Sequence, residues 1–347
     1  MTNYDMPTSD DKSIWDTWLS IHYLPAVTVA DELGIFKSLN QAPAGAIELA
    51  DRLGFDHRTT IAVLRMLKAL GFLALHEGVY RLTDPTRLYL LRDSPFYWGH
   101  MLGTGQPQHA RWRDLLQNGS PRGVPGQEGA SPAGTGPGSS GSWASGQVDI
   151  ERARRVAAAM QSHSLPAAIA MARNGDFAGV SRLLDVGAGS GCFAIALALQ
   201  HPSLRCTIME LPTMCEVAME YVKDRGVADR VDAVAVDMFR QAWPRGYDAM
   251  FFSNVFHDWN FETCQWLATR ACEALEPGSR IYLHEMLLDD DGAGPLTPVS
   301  FSMLMLGTQG QQFSFSELRG LLEAAGFTDV EAKRTYGYYS LVVGRKP

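Results

Sequence analysis

The chain is poor in cysteine, in long apolar runs and in surplus positive charge. Its 347 residues include five cysteines, Cys192, Cys206, Cys215, Cys264 and Cys272, an odd set with no C-x-x-C pair. A disulfide framework and a zinc knuckle are therefore not expected, and the thiols read as reduced core residues. No run of about 18 uncharged apolar residues is present, so no membrane span is expected. The first residues, Met1 to Lys12, are polar and acidic and lack the pattern of a secretory leader, which gives the expectation of a cytoplasmic protein. A net charge of −8 offers no general attraction to nucleic acid. What is plentiful is apolar content, 46% of the chain, enough for a sizeable core in two or three packed units.

The most informative stretch is Leu183-Leu184-Asp185-Val186-Gly187-Ala188-Gly189-Ser190-Gly191. A short buried strand runs into three glycines and then an apolar helix. Glycines at 187, 189 and 191 allow positive φ and let a ligand lie against bare peptide, while the helix start offers unpaired N–H groups. The spacing Gly-x-Gly-x-Gly departs from the Gly-x-Gly-x-x-Gly of dinucleotide folds, whose last glycine slot is filled here by Cys192. A second strand, Cys206 to Met209, ends in Glu210, followed by Leu211; this acid suits a ribose, and taken alone it would also suit NAD. A third, Val231 to Val236, ends in Asp237-Met238, a carboxylate for an exocyclic amine beside a side chain for an adenine face. The fourth, Tyr247 to Ser253, leads into Asn254-Val255-Phe256-His257-Asp258-Trp259.

The N-terminal third is organised differently. Ile14, Trp18, Ile21, Leu24, Val27, Ala30 and Leu33 recur at helical spacing, a face too apolar to be solvated, with Pro25 marking a bend or boundary. Ile47 to Leu53, Thr59 to Leu70 and Gly71 to Leu82 then read as helix, helix and two-strand wing. One reading of that pattern is a DNA-binding module whose recognition helix carries Arg58, Arg65 and Lys68; Asp51 and Asp56 beside it argue against this. Residues 119 to 146 hold nine glycines among Ser and Pro, a composition unable to repay its ordering entropy. That stretch is expected to be a mobile loop, either a lid that orders through Trp143 or a plain insertion.

In this order and at these intervals, the Asp185 to Gly191 loop, Glu210 of Met-Glu-Leu-Pro, Asp237-Met238, His257-Asp258-Trp259, Ala274-Leu275-Glu276-Pro277-Gly278 and the Leu321 to Phe327 segment resemble the S-adenosylmethionine-dependent small-molecule O-methyltransferases of plants and bacteria. The resemblance covers nearly the whole chain. It implies an α/β fold: a Rossmann-like doubly wound methyltransferase domain preceded by a mainly helical winged-helix dimerisation domain. The expected division is 1–117 for dimerisation and substrate pocket, 118–147 for the glycine-rich loop and 148–347 for the catalytic domain. It also implies a homodimer, a small-molecule acceptor, S-adenosylhomocysteine as product, no metal, and a place in secondary metabolism such as antibiotic biosynthesis. Cofactor contacts are expected at Ser164, Asp185, Gly187, Gly189, Gly191, Glu210, Leu211, Asp237, Met238, Ser253 and Trp259. Ser164 belongs to Met160-Gln161-Ser162-His163-Ser164-Leu165-Pro166, expected to end a helix; there the serine reaches the cofactor carboxylate, and His163 reads as structural. Trp259 stacks on adenine or packs in the core.

The chemistry is expected to turn on His257. Transfer from an already activated sulfonium asks the enzyme to align a nucleophile and remove its proton, a task for neutral imidazole near pH 7. The alternative for His257 is a cap on the Asn260 to Ala274 helix. Glu285, at the end of the next strand, orients the imidazole in related enzymes, as carboxylates do in triads. A second acid usually flanks the histidine, and the alignment puts Gln312 in its place. An amide orients an imidazole but lends no charge to its protonated form, so either the base is weaker or the acceptor hydroxyl is more acidic than a simple phenol. Met160, Phe301, Met303 and Met305 are candidates for a flat apolar acceptor pocket, although such a stripe also suits plain core. Two alternatives stand beside O-methylation. One is metal-assisted C-methylation of an α-keto acid or other enolisable acceptor, using His257, Asp258 and His284; strand alternation between His284 and Glu285 argues against it. The other is a cofactor-binding relative without transfer.

Overall fold

The computed structural model describes residues 6–94, 97, 99–102, 107–119, 149–292 and 294–347. Residues 120–148, with most of the glycine-rich stretch and Trp143, lie outside the described residues. Two compact units are present, one helical and one built on a sheet.

The helical unit comprises residues 12–122 and 288–314. It holds α1 (Lys12–Leu19), α2 (Tyr23–Glu32), α3 (Ile35–Gln41), α4 (Ala46–Leu53), α5 (His57–Ala69), the hairpin β1 (Leu73–His76) and β2 (Val79–Leu82), α6 (Asp84–Tyr89), α7 (Gly99–Leu102) and α8 (Pro107–Asn118). Pro25 sits inside the first turn of α2, where a missing N–H is harmless, and the breaks fall instead at a 3-10 turn, Ser20–His22, and at Gly34 (φ 78°). α5 starts at Asp56, whose carboxylate accepts the Thr59 N–H at 2.8 Å. Its inward face, Val63, Leu64 and Leu67, joins Trp112 and Leu116 in one core, and that core also takes Val299 and Met303 from a later helix. Of the apolar face read along α1 and α2, Val27 and Ala30 are buried. Ile14, Trp18, Ile21 and Leu24 stand exposed at 70, 46, 46 and 37%.

The sheet unit starts with the long helix α9 (Ile150–Asn174). The sequence reading ended this helix at Pro166, and that expectation is corrected. The helix runs on because Ala167, Ala168, Ala170 and Met171 are buried, which outweighs the single amide lost at proline. There follow β3 (Arg182–Val186), α10 (Cys192–Gln200), β4 (Arg205–Glu210), α11 (Pro212–Asp224), β5 (Val231–Ala235), β6 (Ala249–Ser253), α12 (Phe261–Ala274) and β7 (Arg280–Met286). After α13 (Leu296–Met305), which belongs to the helical unit, come α14 (Phe315–Ala324), β8 (Thr328–Tyr336) and β9 (Tyr339–Arg345). The strand order is β5-β4-β3-β6-β7-β9-β8, parallel from β5 through β7, with β9 antiparallel to both β7 and β8. The order reverses between β3 and β6, so the crevice for a ligand lies outside their carboxyl ends.

Candidate active site at the carboxyl edge of the sheet

The glycine loop leaves β3 at this edge. Gly187, Gly189 and Gly191 all have positive φ, 68°, 57° and 73°. Two are also crowded by neighbouring side chains: a Cβ on Gly187 would meet Val255 at 3.0 Å, and one on Gly191 would meet Ile208 at 2.5 Å. Glu210, ending β4, accepts the Gly189 N–H at 3.2 Å and the Leu211 N–H at 2.7 Å. Asp185 is 1% exposed. Burial pushes its carboxyl up to about 8, with the Ala194 amide opposing and the Glu210 charge adding. Its Oδ2 has no hydrogen-bond partner among the described residues. A bare cradle with an unmatched buried carboxylate oxygen fits a ligand that brings a cation into the loop.

Two more strand ends complete this part of the edge. Asp237, after β5, accepts the Phe239 N–H at 2.9 Å and has Arg240 at 3.7 Å. The Trp243 indole donates to the Met238 carbonyl at 2.8 Å, fixing that turn. Phe239 then meets Trp259 edge-on, with ring centroids 4.7 Å apart, and stacks on Trp266 at 5.6 Å. Sequence reading missed Phe239; its signal was an aromatic residue directly after the Asp237-Met238 strand end. On α9, the Ser164 hydroxyl stands 3.2 Å from Nδ1 of His163, and Gln161, also missed, accepts a hydrogen bond from the Ser190 hydroxyl at 2.7 Å.

His257 sits in a 3-10 turn, Phe256–Asp258, beyond β6. The chain reverses there at Asn254, which adopts φ 54°, a conformation asparagine tolerates better than most residues. The helix cap that was the alternative role for His257 is filled by Asn260, whose side chain accepts the Thr263 N–H at 2.8 Å. Glu285, 1% exposed on β7, holds this turn from beneath. Its Oε1 accepts the N–H groups of Val255 and Phe256, each at 3.1 Å, and the His257 amide also bonds to the carboxylate. Its Oε2 lies 3.4 Å from Nδ1 of His257. Across the ring, Nε2 faces the half-exposed Asp258 at 3.7 Å.

The electrostatics follow from this packing. Burial lowers His257 to about 3, and a charge on nearby His163 would lower it further. Burial raises Glu285 to about 8, helped by Asp258 and opposed by the three amides. Once Glu285 is ionised, an imidazole proton on Nδ1 faces its Oε2 across 3.4 Å, the tautomer the carboxylate favours.

His284 is one residue away on β7 and faces the other way. Its Nδ1 is 3.1 Å from the Ser253 hydroxyl and its Nε2 is 3.0 Å from the Thr335 hydroxyl. Thr335 donates to the Tyr339 carbonyl, so it accepts from Nε2–H, and Nδ1 accepts from Ser253. The ring also stacks on Tyr339, 4.9 Å away and 7° from parallel. With both nitrogens committed, His284 does not converge with His257 and Asp258 as the metal reading requires. Ser253 is likewise turned toward His284, whose carbonyl lies 3.3 Å from its hydroxyl.

The remaining residues singled out lie in the helical unit or on α9. Met303 is wholly buried in the helical core, and Phe301 and Met305 are 5% and 9% exposed. Trp15 packs on Phe301 with centroids 5.4 Å apart. Gln312 is fully buried, and its N–H donates to the Ser302 hydroxyl at 3.1 Å. Met160 is 38% exposed on α9. The cations of the supposed recognition helix α5 are all engaged within their own unit. Arg58 donates to the carbonyls of Met305 and Thr308 at 3.0 Å and also to that of Gly310; Lys68 pairs with Asp291 at 2.7 Å; and the Arg65 guanidinium lies over Gly292.

Comparison with known proteins agrees with this edge and with the helical unit. The chain is 31% identical over 322 residues to 3-hydroxy-5-methyl-1-naphthoate 3-O-methyltransferase of Streptomyces sahachiroi, covering 89% of this chain and 87% of the relative. It is 29% identical to the tetracenomycin polyketide synthesis 8-O-methyl transferase TcmO of Streptomyces glaucescens, over 93% of each chain. Among solved structures, an O-methyltransferase family 2 protein from Planctomyces limnophilus in complex with apigenin superposes with a TM-score of 0.85, at 25% identity over 100% of both chains. An O-methyltransferase dimerisation domain is matched by residues 15–92 and an O-methyltransferase domain by residues 133–328, so the chain belongs to the O-methyltransferase family, enzymes that take their methyl group from S-adenosylmethionine.

Proposed function

We propose that the protein methylates a hydroxyl on a small, flat aromatic or heteroaromatic acceptor in secondary metabolism, with His257 as general base. The observation that carries this is the His257–Glu285 pair: a neutral imidazole, backed at Nδ1 by a buried carboxylate, on a turn whose Val255 abuts the glycine loop. S-adenosylmethionine supplies a methyl group on a sulfonium, activated for in-line displacement. The chain's own residues hold and align. Glu210 keeps lone pairs for the ribose hydroxyls beyond its two amide bonds. Asp185 offers its unmatched oxygen to the ammonium, and Ser164 its hydroxyl to the carboxylate. Asp237, Met238, Phe239 and Trp259 form an aromatic corner for adenine. Nε2 of His257 takes the acceptor's proton as the hydroxyl oxygen attacks, and Glu285 steadies the imidazolium that results.

The acceptor class is supported by the naphthoate and polyketide relatives and by the apigenin complex of the structural neighbour. The exposed face of Ile14, Trp18, Ile21 and Leu24, all but Ile14 within the segment matched by the dimerisation domain, is proposed to meet a second copy of the chain. The test is turnover of methyl-labelled S-adenosylmethionine with a panel of naphthols, flavones and hydroxyquinones, with and without chelator. Label on acceptor oxygen, unchanged by chelator, is the expected result. Transfer only to α-keto acids, and only with added divalent metal, would overturn it.

A further inference from the structure

Ser190 is the one residue of Gly187 to Gly191 that carries a hydroxyl, and nothing in the turn geometry asks for it. The glycines around it hold the positive-φ positions, and the loop's backbone is tied by Gly187 N–H to the Met209 carbonyl at 3.0 Å and Gly191 N–H to the Ala188 carbonyl at 2.9 Å. On one side the loop is fastened to β4, where Gly189 N–H meets Glu210. On the other side the Ser190 hydroxyl, 2% exposed and next to the Cys192 thiol, reaches out to α9 and donates to Gln161 at 2.7 Å. Met160, one residue earlier, brings its sulfur to 3.4 Å from where a Cβ on Gly189 would stand. The turn of α9 that carries Met160 and Gln161 thus rests on the loop, and Ser164 lies one turn further along.

From this we infer that Gln161 is a positioning residue for the cofactor: through Ser190 it latches α9 to the glycine loop and so sets the spacing between that loop and Ser164. This rests on the reading that the loop and Ser164 hold the methionine end of S-adenosylmethionine. The latch is a part-buried side chain pair linking two elements 29 residues apart in sequence. Its loss lets the loop and helix drift apart without unpacking either one.

The test is calorimetric binding of S-adenosylhomocysteine to the full chain, with thermal melting measured in parallel. Gln161→Met keeps the length of the side chain and loses the acceptor; Ser190→Ala loses the donor. Each is expected to weaken binding about 3- to 10-fold, the range for one neutral hydrogen bond. The double variant is expected to be no weaker than either single one, because both remove the same bond. Gln161→Glu, which keeps an acceptor oxygen, is expected to bind within about twofold of wild type. Unchanged affinity in the single variants with a lowered melting temperature, additive losses in the double variant, or failure of Gln161→Glu to restore binding would each overturn the inference. Failure of the wild-type protein to bind S-adenosylhomocysteine would instead overturn the reading of the loop as the cofactor seat.

Discussion

His257 and His284 lie beyond and within adjacent strands, are both buried, and are both held near 3 by loss of solvent, yet their surroundings are opposite in kind. His284 carries its proton on Nε2, gives it to Thr335, and has its Nδ1 lone pair filled by Ser253. His257 presents Nδ1 to Glu285 at 3.4 Å and Nε2 to Asp258 at 3.7 Å. The depressed basicity is common to both and so does not mark the base. What separates them is what each ring faces: two hydroxyls and the Tyr339 ring for His284, two carboxylates for His257. A low imidazole pKa in a buried site is a statement about packing until the tautomer is worked out.

The comparison is open to three attacks. The largest effect belongs to His257→Ala: turnover is expected to fall by about 10²-fold or more, the span of general-base catalysis, with S-adenosylhomocysteine affinity unchanged. Loss of cofactor binding along with turnover would place His257 in the seat instead. The second concerns the proton that His257 and Glu285 hold between them. With Glu285 pushed up to about 8, the proposed mechanism has the pair holding an extra proton at neutral pH, whose release lets Nε2 act as the base. Turnover at saturating substrates is therefore expected to rise with pH by about 10-fold up to an apparent value near 8, and Glu285→Gln should flatten that rise while lowering the plateau. A profile of the same shape in the variant would remove Glu285 from the pair.

The third and smallest effect is on stability. His284→Phe keeps the stacking on Tyr339 but leaves the Ser253 and Thr335 hydroxyls without the ring, at a cost of about 2 kcal/mol at pH 7. His284 has a folded value below its unfolded one, so the unfolded chain takes up its proton first, and stability is lost as pH falls below about 6.5. The variant lacks that group. Its deficit in denaturant titration is expected to shrink by about 2 kcal/mol between pH 7 and pH 5. Activity per folded molecule is expected to stay within a few-fold of wild type. A large drop in activity would mean that the two histidines are not separate in function.

Much of this was legible in the chain. The glycines at 187, 189 and 191, the acid at 210 and the His257-Asp258-Trp259 run all sit at strand ends, where backbone requirements and chemistry coincide, and a local pattern suffices to find them. Pro166 was misread because a proline announces the loss of one hydrogen bond but says nothing of the burial around it. Arg58, Arg65 and Lys68 look like a phosphate-facing row until the carbonyls of 305, 308 and 310 and the 291–292 turn are seen to occupy them. Those partners lie more than 200 residues away, beyond any periodicity. Gln161 and Phe239 were missed for the same reason: a glutamine on a helix and a phenylalanine after a strand acquire meaning only from Ser190 and Trp259. Met303 shows the reverse, a plausible pocket residue that the helical core claims.

The glycine loop also bears on what protein engineering can change. At Gly34, Gly54, Gly71 and Gly78 the positive φ is the sole obstacle, since a Cβ there would meet nothing within 4 Å. Asparagine or aspartate is a workable replacement at such places. Gly187 and Gly191 carry the same dihedral constraint and in addition are crowded by the Val255 and Ile208 side chains, which would have to shift for a Cβ to fit. In a library built to retune this enzyme those two columns are expected to stay empty, and variation that alters the cofactor seat has to enter through the residues that touch the loop from outside.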